Sequence, residues 1–441
     1  MNESGSYPCV LIVSHNPFSD TQNNGKTLSA FFAGWPKDKI AQLFITLETP
    51  STRVCERFYR ITDLEILKSV YSRSVPVGSE LTKQTLNVEE ERKVLHNKRS
   101  YNFIRSLFLK KVPVCCLLRE LCWGSQKWKN ERLNEWLYKI APEVVFFQGS
   151  SSAAIYDMVF WICDYLKTPL VLQATDDYVS SKFTLDPFWW FNHFAYKKRF
   201  VRAVNTAHRV IAIGEKMADE YSRNYGGQYY VGMNYIESDS ISEYIPTNKK
   251  LKMIFAGNLG LNRWKVLAIL GKYCFEDKEL CDSVEIEIYS FNTPKDSVLR
   301  QLNLGKVMRF CGALNTEQLK DAVERADVLI HTEAFDRKNR HVTRYSISTK
   351  IPEYMARMRC ILAIGPDDVA SIQYIKKYDL GAVVTSLDRK SLTDCIKLLV
   401  SDPEYRVNHA QSGFARAIQY HSQLKTQNDI RLIMQSALPE Q

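Results

Sequence analysis

At 441 residues, with 45% hydrophobic and 24% charged side chains, the chain has the balance of a globular protein with a large core, and its length predicts two domains rather than one. The net charge is +10, but the opening Met1-Asn2-Glu3-Ser4-Gly5-Ser6 leads into no long apolar run and no stretch of about 18 apolar residues is free of charge, so neither an export signal nor a membrane-crossing helix is expected. Eleven scattered cysteines without a CxxC pair read as reduced, buried thiols rather than a metal or redox site, which places the chain in the cytoplasm, soluble or peripheral to the inner face of the membrane.

Cys9–Val13 predicts a strand, Lys26–Trp35 a helix and Ile40–Thr46 a second strand, a βαβ opening. The loop inside it, Ser14 to Thr27, ends in Asn24-Gly25-Lys26. Gly25 lets backbone approach a ligand, and Lys26 at a helix start suits a phosphate. The first glycine of a Walker A loop is missing, so an NTPase is not implied, and a plain turn before a helix is the alternative. His15 in this loop and His193 further on are catalytic candidates only as isolated histidines, which usually serve structure.

A basic stretch follows. Arg92, Lys93, Lys98, Arg99, Arg105, Lys110, Lys111, Arg119, Lys127, Lys129, Arg132 and Lys139 face only Glu91, Glu120, Glu131 and Glu135. Phosphorylated substrates, anionic lipid or nucleic acid all suit such charge, but no nucleic-acid-binding signature accompanies it, and no nucleic-acid partner is expected.

The alternation resumes with the strand Val144–Phe147, a helix Ala153–Leu166, and the strands Leu170–Leu172 and Val210–Ile213. Gln148 to Ser152 and Gln173 to Tyr178 are the loops after two of these strands. Asp176 and Asp177 are candidates for orienting an acceptor hydroxyl or taking its proton, with helix capping as the bland alternative. From Phe188 to Phe200 aromatic and basic residues mix, as in an interfacial helix or beside a lipid-linked acceptor, or as the packing face of a wide helix.

Polar residues from Glu237 to Lys250 predict a linker at 237–250 between an N-terminal domain, 1–236, and a C-terminal domain, 251–420. The second domain repeats the first with strands at Met253–Gly257, Val284–Tyr289, Val307–Cys311, Val328–Ile330, Cys360–Ile364 and Ala382–Val384. Residues 421–441 are expected as a helix packing back toward the N-terminal domain. The fold class is α/β, two Rossmann-like doubly wound domains facing across a cleft, with chemistry in the loops beyond the strand ends.

Two of those loops stand out. After the strand at 253, Gly257-Asn258-Leu259-Gly260 and Arg263 form a candidate diphosphate clamp. Later, Arg344-Tyr345-Ser346-Ile347-Ser348-Thr349-Lys350-Ile351-Pro352-Glu353 predicts a helix start capped by Ser348 or Thr349, with Pro352 tolerated in its first turn. The helix N-terminus and Lys350 suit a phosphate, Arg344, Ser348 and Thr349 are further binding candidates beside them, and Glu353 can accept two hydrogen bonds from a ribose diol.

The run Ser348 to Ala356, preceded by Ala326 to Glu333, resembles the donor region of GT-B glycosyltransferases related to family 4, of the bacterial surface-polysaccharide type; Gly257 to Gly260 resembles their phosphate turn. The resemblance implies transfer of a hexosyl or N-acetylhexosaminyl group from a nucleoside-diphosphate sugar, a UDP-sugar foremost, to a saccharide or lipid-linked saccharide, without metal or other cofactor. It also implies that Glu353 holds the ribose while Arg263 and Lys350 neutralise the leaving diphosphate. Tyr345 stands where the family usually has a second glutamate, eight positions before Glu353, and Glu333 is the candidate to take part of that role. Whether the anomeric configuration is retained or inverted is therefore left open. A nucleotide-sugar epimerase, a phosphorylase and a non-catalytic partner subunit are the alternatives on the same fold.

Overall fold

The computed structural model describes residues 7–20, 23–72, 74–81, 112–180, 184–233, 235–236 and 249–439. The chain forms two compact units, one of Met1–Gly232 with Gln427–Gln441 and one of Met233–Thr426. Residues 237–248 of the expected linker lie outside the described residues, as does the basic stretch from Arg92 to Lys111.

The first unit is built on an eight-stranded sheet: β1 (Val10–Ser14), β2 (Ile40–Phe44), β3 (Phe58–Arg60), β4 (Ser79–Leu81), β5 (Val144–Gln148), β6 (Leu170–Ala174), β7 (Arg209–Ala212) and β8 (Tyr229–Val231). Its order is β4-β3-β2-β1-β5-β6-β7-β8, with β4 alone antiparallel to its neighbour. Every residue of β1, β2, β5 and β6 is buried, as continuous apolar runs covered by helices on both faces require. The direction of winding reverses between β1 and β5, which pair from Val10↔Val144 to Val13↔Phe147.

On one face Phe31, Phe32, Val10, Ile12 and Phe146 enclose Ile430, Ile433 and Met434. These last three belong to the C-terminal helix Gln423–Gln435, so chain that follows the second unit completes the core of the first. Removing any one of these buried side chains costs about 2–5 kcal/mol.

The second unit has six parallel strands, β9 (Leu251–Ala256), β10 (Val284–Tyr289), β11 (Met308–Gly312), β12 (Val328–Thr332), β13 (Cys360–Ile364) and β14 (Gly381–Val384), in the order β11-β10-β9-β12-β13-β14. Two apolar clusters, one containing Met253, Ile286 and Ile330 and the other Ile254, Leu329 and Ile361, cover opposite faces, because adjacent strand residues point to opposite sides. The winding reverses between β9 and β12. That ladder consists of two residue pairs, Val328↔Met253 and Leu329↔Ile254, although both strands continue beyond them. A crevice therefore opens at their carboxyl ends, where doubly wound sheets receive ligands.

Both units are Rossmann-like α/β layers. β3, β4 and β8 are absent from the sequence-based reading: each is three residues long, too short to give a recognisable run.

Candidate functional site

Of the residues picked from the sequence of the second unit, Gly257 to Arg263 and Glu333 meet at the β9/β12 reversal, while Lys350 and Glu353 pair with each other on a helix tied to the end of β9 through Tyr354. Beyond β9, Asn258 Oδ1 accepts a 2.7 Å hydrogen bond from the Gly260 N–H. A Cβ at position 260 would sit 2.9 Å from that oxygen, so a larger residue there would push the Asn258 amide out of this bond. Leu261 and Asn262 then take left-handed backbone conformations, φ 54° and 61°, which turn the chain into the helix Arg263–Glu276.

Asn262 Nδ2 donates to Asp336 Oδ2 at 2.9 Å, and Asp336 caps the helix Arg337–Thr343 through Asn339 N–H. The loops after β9 and β12 are thereby joined. Burial works to raise the Asp336 carboxyl, but bonds from Asn262 and Asn339 outweigh it and hold the group below its ordinary value.

At the centre, Arg263 donates through one terminal nitrogen to both carboxylate oxygens of Glu333, at 3.1 and 3.2 Å. Glu333 is 2% exposed, and His331 Nε2 stands 3.5 Å from its Oε1. Burial alone would raise this carboxyl. The His331 imidazole and Arg263 guanidinium outweigh burial and hold Glu333 below the usual carboxylate range. The Arg263 Nε is also buried and has no hydrogen-bond partner. Close packing holds Glu333 in place as well: a Cβ on Gly365, just past β13, would come within 2.9 Å of the Glu333 Cβ. Among the expected catalytic residues, then, Glu333 has its carboxylate committed to orienting Arg263.

The segment from Arg344 to Glu353 is stitched to the start of the helix Ala370–Lys377, which follows β13. Ala370 N–H donates to Arg344 O at 2.9 Å, Ser348 N–H to Ser371 Oγ at 3.1 Å, and Ser371 Oγ to Ser346 O at 3.3 Å. The helix Lys350–Ala356 follows, as the sequence predicts, but Thr349 makes no side-chain cap; Ser348 Oγ accepts from Lys350 N–H instead, at 3.3 Å. Thr349 is already in helical conformation, φ −62° and ψ −14°, a geometry unlike the extended one that capping residues adopt.

Lys350 Nζ pairs with Glu353 Oε2 at 2.6 Å, both side chains about one-third exposed. Tyr354, buried beside them, bridges Ala256 N and O at 3.3 and 3.2 Å and fixes this helix against the end of β9. Arg344 contacts His341 Nδ1 at 2.7 Å and lies over the Tyr345 ring at 4.4 Å. Tyr345, in the place of the expected glutamate, thus supports an arginine.

In the first unit the strand ends carry neutral polar groups. Gln42 Oε1 accepts from Phe18 N–H while its Nε2 donates to Ser14 Oγ, and Gln148 Nε2 bonds Gln173 Oε1 at 3.1 Å and Asn24 O at 3.4 Å. A Cβ on Gly25 would overlap Pro17 O, so Gly25 serves close backbone packing; Lys26 is exposed. Asp177 Oδ1 accepts from Ser180 N–H at 3.1 Å and Tyr221 OH at 2.9 Å, and Asp176 accepts from Tyr178 OH at 3.1 Å. The buried Gln173 Nε2 and Thr175 Oγ1 have no hydrogen-bond partner. His193 is buried and stacks on Trp189, centroids 4.6 Å apart.

Sequence reasoning gave no role to His331, Asn262 or Asp336. A histidine inside an apolar strand two positions before a glutamate was the available signal for the first, and an aspartate just before a helix for the last. Among the described residues no cluster of three or more His, Cys, Asp or Glu side chains is arranged to hold a metal ion.

No family model matches the sequence, and neither does any curated protein. Solved structures do match in shape. The Anabaena protein HepE, crystallised with UDP and glucose, superposes with a TM-score of 0.62 at 11% identity over 97% of this chain and all of its own. Sucrose-phosphate synthase from Thermosynechococcus elongatus gives 0.59 at 12% identity over 97% of each chain. The trehalose 6-phosphate synthase of Burkholderia multivorans gives 0.59 at 9%, over 97% of this chain and 98% of its own. At such identities the likeness establishes architecture: two Rossmann-like α/β domains of the GT-B fold.

Proposed function

We propose that this chain is a glycosyltransferase that takes a sugar from a nucleoside-diphosphate sugar, a UDP-sugar foremost, and passes it to a saccharide or lipid-linked saccharide during glycan assembly. The observation that carries the reading is the Arg263–Glu333 pair in the crevice where β9 and β12 part, beside the glycine turn of residues 257–260. A guanidinium fixed at a strand-end crevice suits a diphosphate, because it can offer hydrogen bonds to phosphate oxygens as well as charge.

In this reading the backbone of Gly257, Asn258 and Gly260 approaches the diphosphate, Arg263 and Lys350 stabilise the charge that develops on it as the glycosidic bond breaks, and Glu353 receives the ribose hydroxyls. Arg344, Ser348 and Thr349 line the same approach. Glu333 holds Arg263 in position. Its depressed pKa keeps it ionised at neutral pH, so it serves poorly as a proton donor.

The acceptor is assigned to the first unit, near Asp176 and Asp177, with either aspartate as the base, and the loop of Asn24, Gly25 and Lys26 is assigned to a phosphate group. Transfer is proposed to proceed without metal and in the cytoplasm. The nucleotides bound in the HepE crystals lend support to the donor class; the reading for this chain rests on its own residues.

Incubation with radiolabelled UDP-, GDP- and dTDP-sugars, with and without saccharide acceptors and with EDTA, tests this directly. Acceptor-dependent release of the nucleoside diphosphate that survives EDTA is expected. An epimerised nucleotide-sugar without any transfer, or activity restored only by manganese, contradicts it.

A further inference from the structure

The helix Pro187–Thr206 of the first unit buries His193, Tyr196, Phe200, Ala203 and Val204 and turns another face outward. On that outer face Phe191 and Phe194 are 63% and 62% exposed, Phe188 is 45% exposed, and Leu185, just before the helix, is 92% exposed. Phe188, Phe191 and Phe194 recur every three residues, and Lys198 falls one turn beyond Phe194 on the same side.

The neighbouring helix Pro113–Gly124 packs against it, held by Asn192 Nδ2 donating to Pro113 O at 2.8 Å. It too presents apolar residues to solvent, Val114, Leu118 and Leu121, at the i, i+4, i+7 spacing of a single face. Two packed helices exposing six large apolar side chains, with Leu185 beside them, are unlike the scattered single hydrophobics of an ordinary surface.

Charge says what this face suits. The Pro187–Thr206 helix contains Lys197, Lys198, Arg199 and Arg202 and no Asp or Glu. Arg199 is paired with Asp157 at 2.8 Å and Arg202 lies over Phe160, whereas Lys197 and Lys198 extend into solvent. Lys127 and Lys129, also exposed, follow the companion helix. Phenylalanine and leucine flanked by lysine is the composition of an element that lies in the headgroup layer, its rings among acyl chains and its ammonium groups among lipid phosphates. No helix among the described residues is long and apolar enough to cross the membrane, so contact of this kind would be peripheral.

We infer that this two-helix face docks the protein on an anionic lipid bilayer. The inference does not depend on the donor site.

Flotation with phosphatidylcholine vesicles, with and without about 30 mol% phosphatidylglycerol, tests it on the full chain. The protein is expected to float with the anionic vesicles and not with the neutral ones, and to be released at about 0.5 M salt. Phe191→Ser with Phe194→Ser should weaken flotation at least about tenfold, and Lys197→Glu with Lys198→Glu by a similar factor. These positions are exposed, so both variants should keep the thermal midpoint and nucleotide-sugar affinity of the parent. Failure to float, or flotation that neither variant diminishes, overturns the inference. So does a soluble dimer in the parent that the Phe191/Phe194 variant dissociates without any vesicle binding, because the face is then a protein interface.

Discussion

The two units reverse their winding in the same way and treat the reversal differently. Between β1 and β5 four residue pairs hold the strands together, and neutral side chains, Gln42, Gln148 and Gln173, fill the space around the strand ends. Between β9 and β12 the ladder has two pairs, and an arginine, a glutamate and a histidine occupy the opening. One plan thus yields a neutral, hydrogen-bonding floor and a charged crevice. On the proposed reading, the second suits a diphosphate and the first a sugar acceptor.

The largest expected effect comes from the charged crevice. Arg263→Ala should lower kcat/KM for the nucleotide-sugar about 100- to 1000-fold, the scale on which removing a stabiliser of developing charge acts. It should also destabilise the second unit by about 3 kcal/mol in urea denaturation, since Glu333 is left buried beside His331 alone. Loss of stability with unchanged kcat/KM would make Arg263 structural and remove the contrast with the first unit.

Glu333→Gln comes next. A neutral side chain of the same shape should loosen Arg263 and reduce kcat roughly tenfold, while transfer persists, as expected of a positioning residue rather than a base. The pH dependence checks the same pair independently. Glu333 has a folded pKa below its unfolded value of about 4.3, so its stabilising contribution is complete above that value and is lost as pH falls through the folded pKa. Urea denaturation of the parent and Glu333→Gln should therefore differ most near neutral pH and converge in acid. A constant gap down to the lowest pH would contradict the ion pair.

Glu353→Ala is expected to raise the KM for the nucleotide-sugar about tenfold and to change the thermal midpoint little, because its pair with Lys350 is one-third exposed and worth about 0–1 kcal/mol. The smallest effect belongs to the first unit. Gln173→Leu takes the acceptor from Gln148 and should cost about 1–2 kcal/mol of stability with nucleotide-sugar affinity unchanged. Altered nucleotide affinity in that variant would blur the division of labour between the units.

Much of this was legible in the sequence for physical reasons. Parallel strands covered on both faces must be continuous apolar runs, so β1, β5, β9 and β13 announce themselves, whereas β3, β4 and β8 are too short to do so. Glycine at position 25 proved to be forced by the close approach of the Pro17 carbonyl, whereas at position 260 only the movable Asn258 amide lies near. What stayed hidden were pairings between loops far apart in the chain. Arg263 and Glu333 are 70 positions apart and Asn262 and Asp336 are 74 apart, and neither partner's sequence neighbourhood names the other. For the same reason Glu333 looks like a free carboxylate in the sequence and is a held one in the fold. Nor does the sequence tell Thr349 from Ser348 as the residue that caps Lys350, since that depends on one backbone rotation.

Calorimetric titration of a UDP-sugar into the parent protein, Arg263→Ala and Glu353→Ala tests the central claim most directly. Saturable one-site binding to the parent is expected, weakened at least about tenfold in each variant. Binding that both substitutions leave intact, or the absence of binding by any UDP-, GDP- or dTDP-sugar, would contradict it.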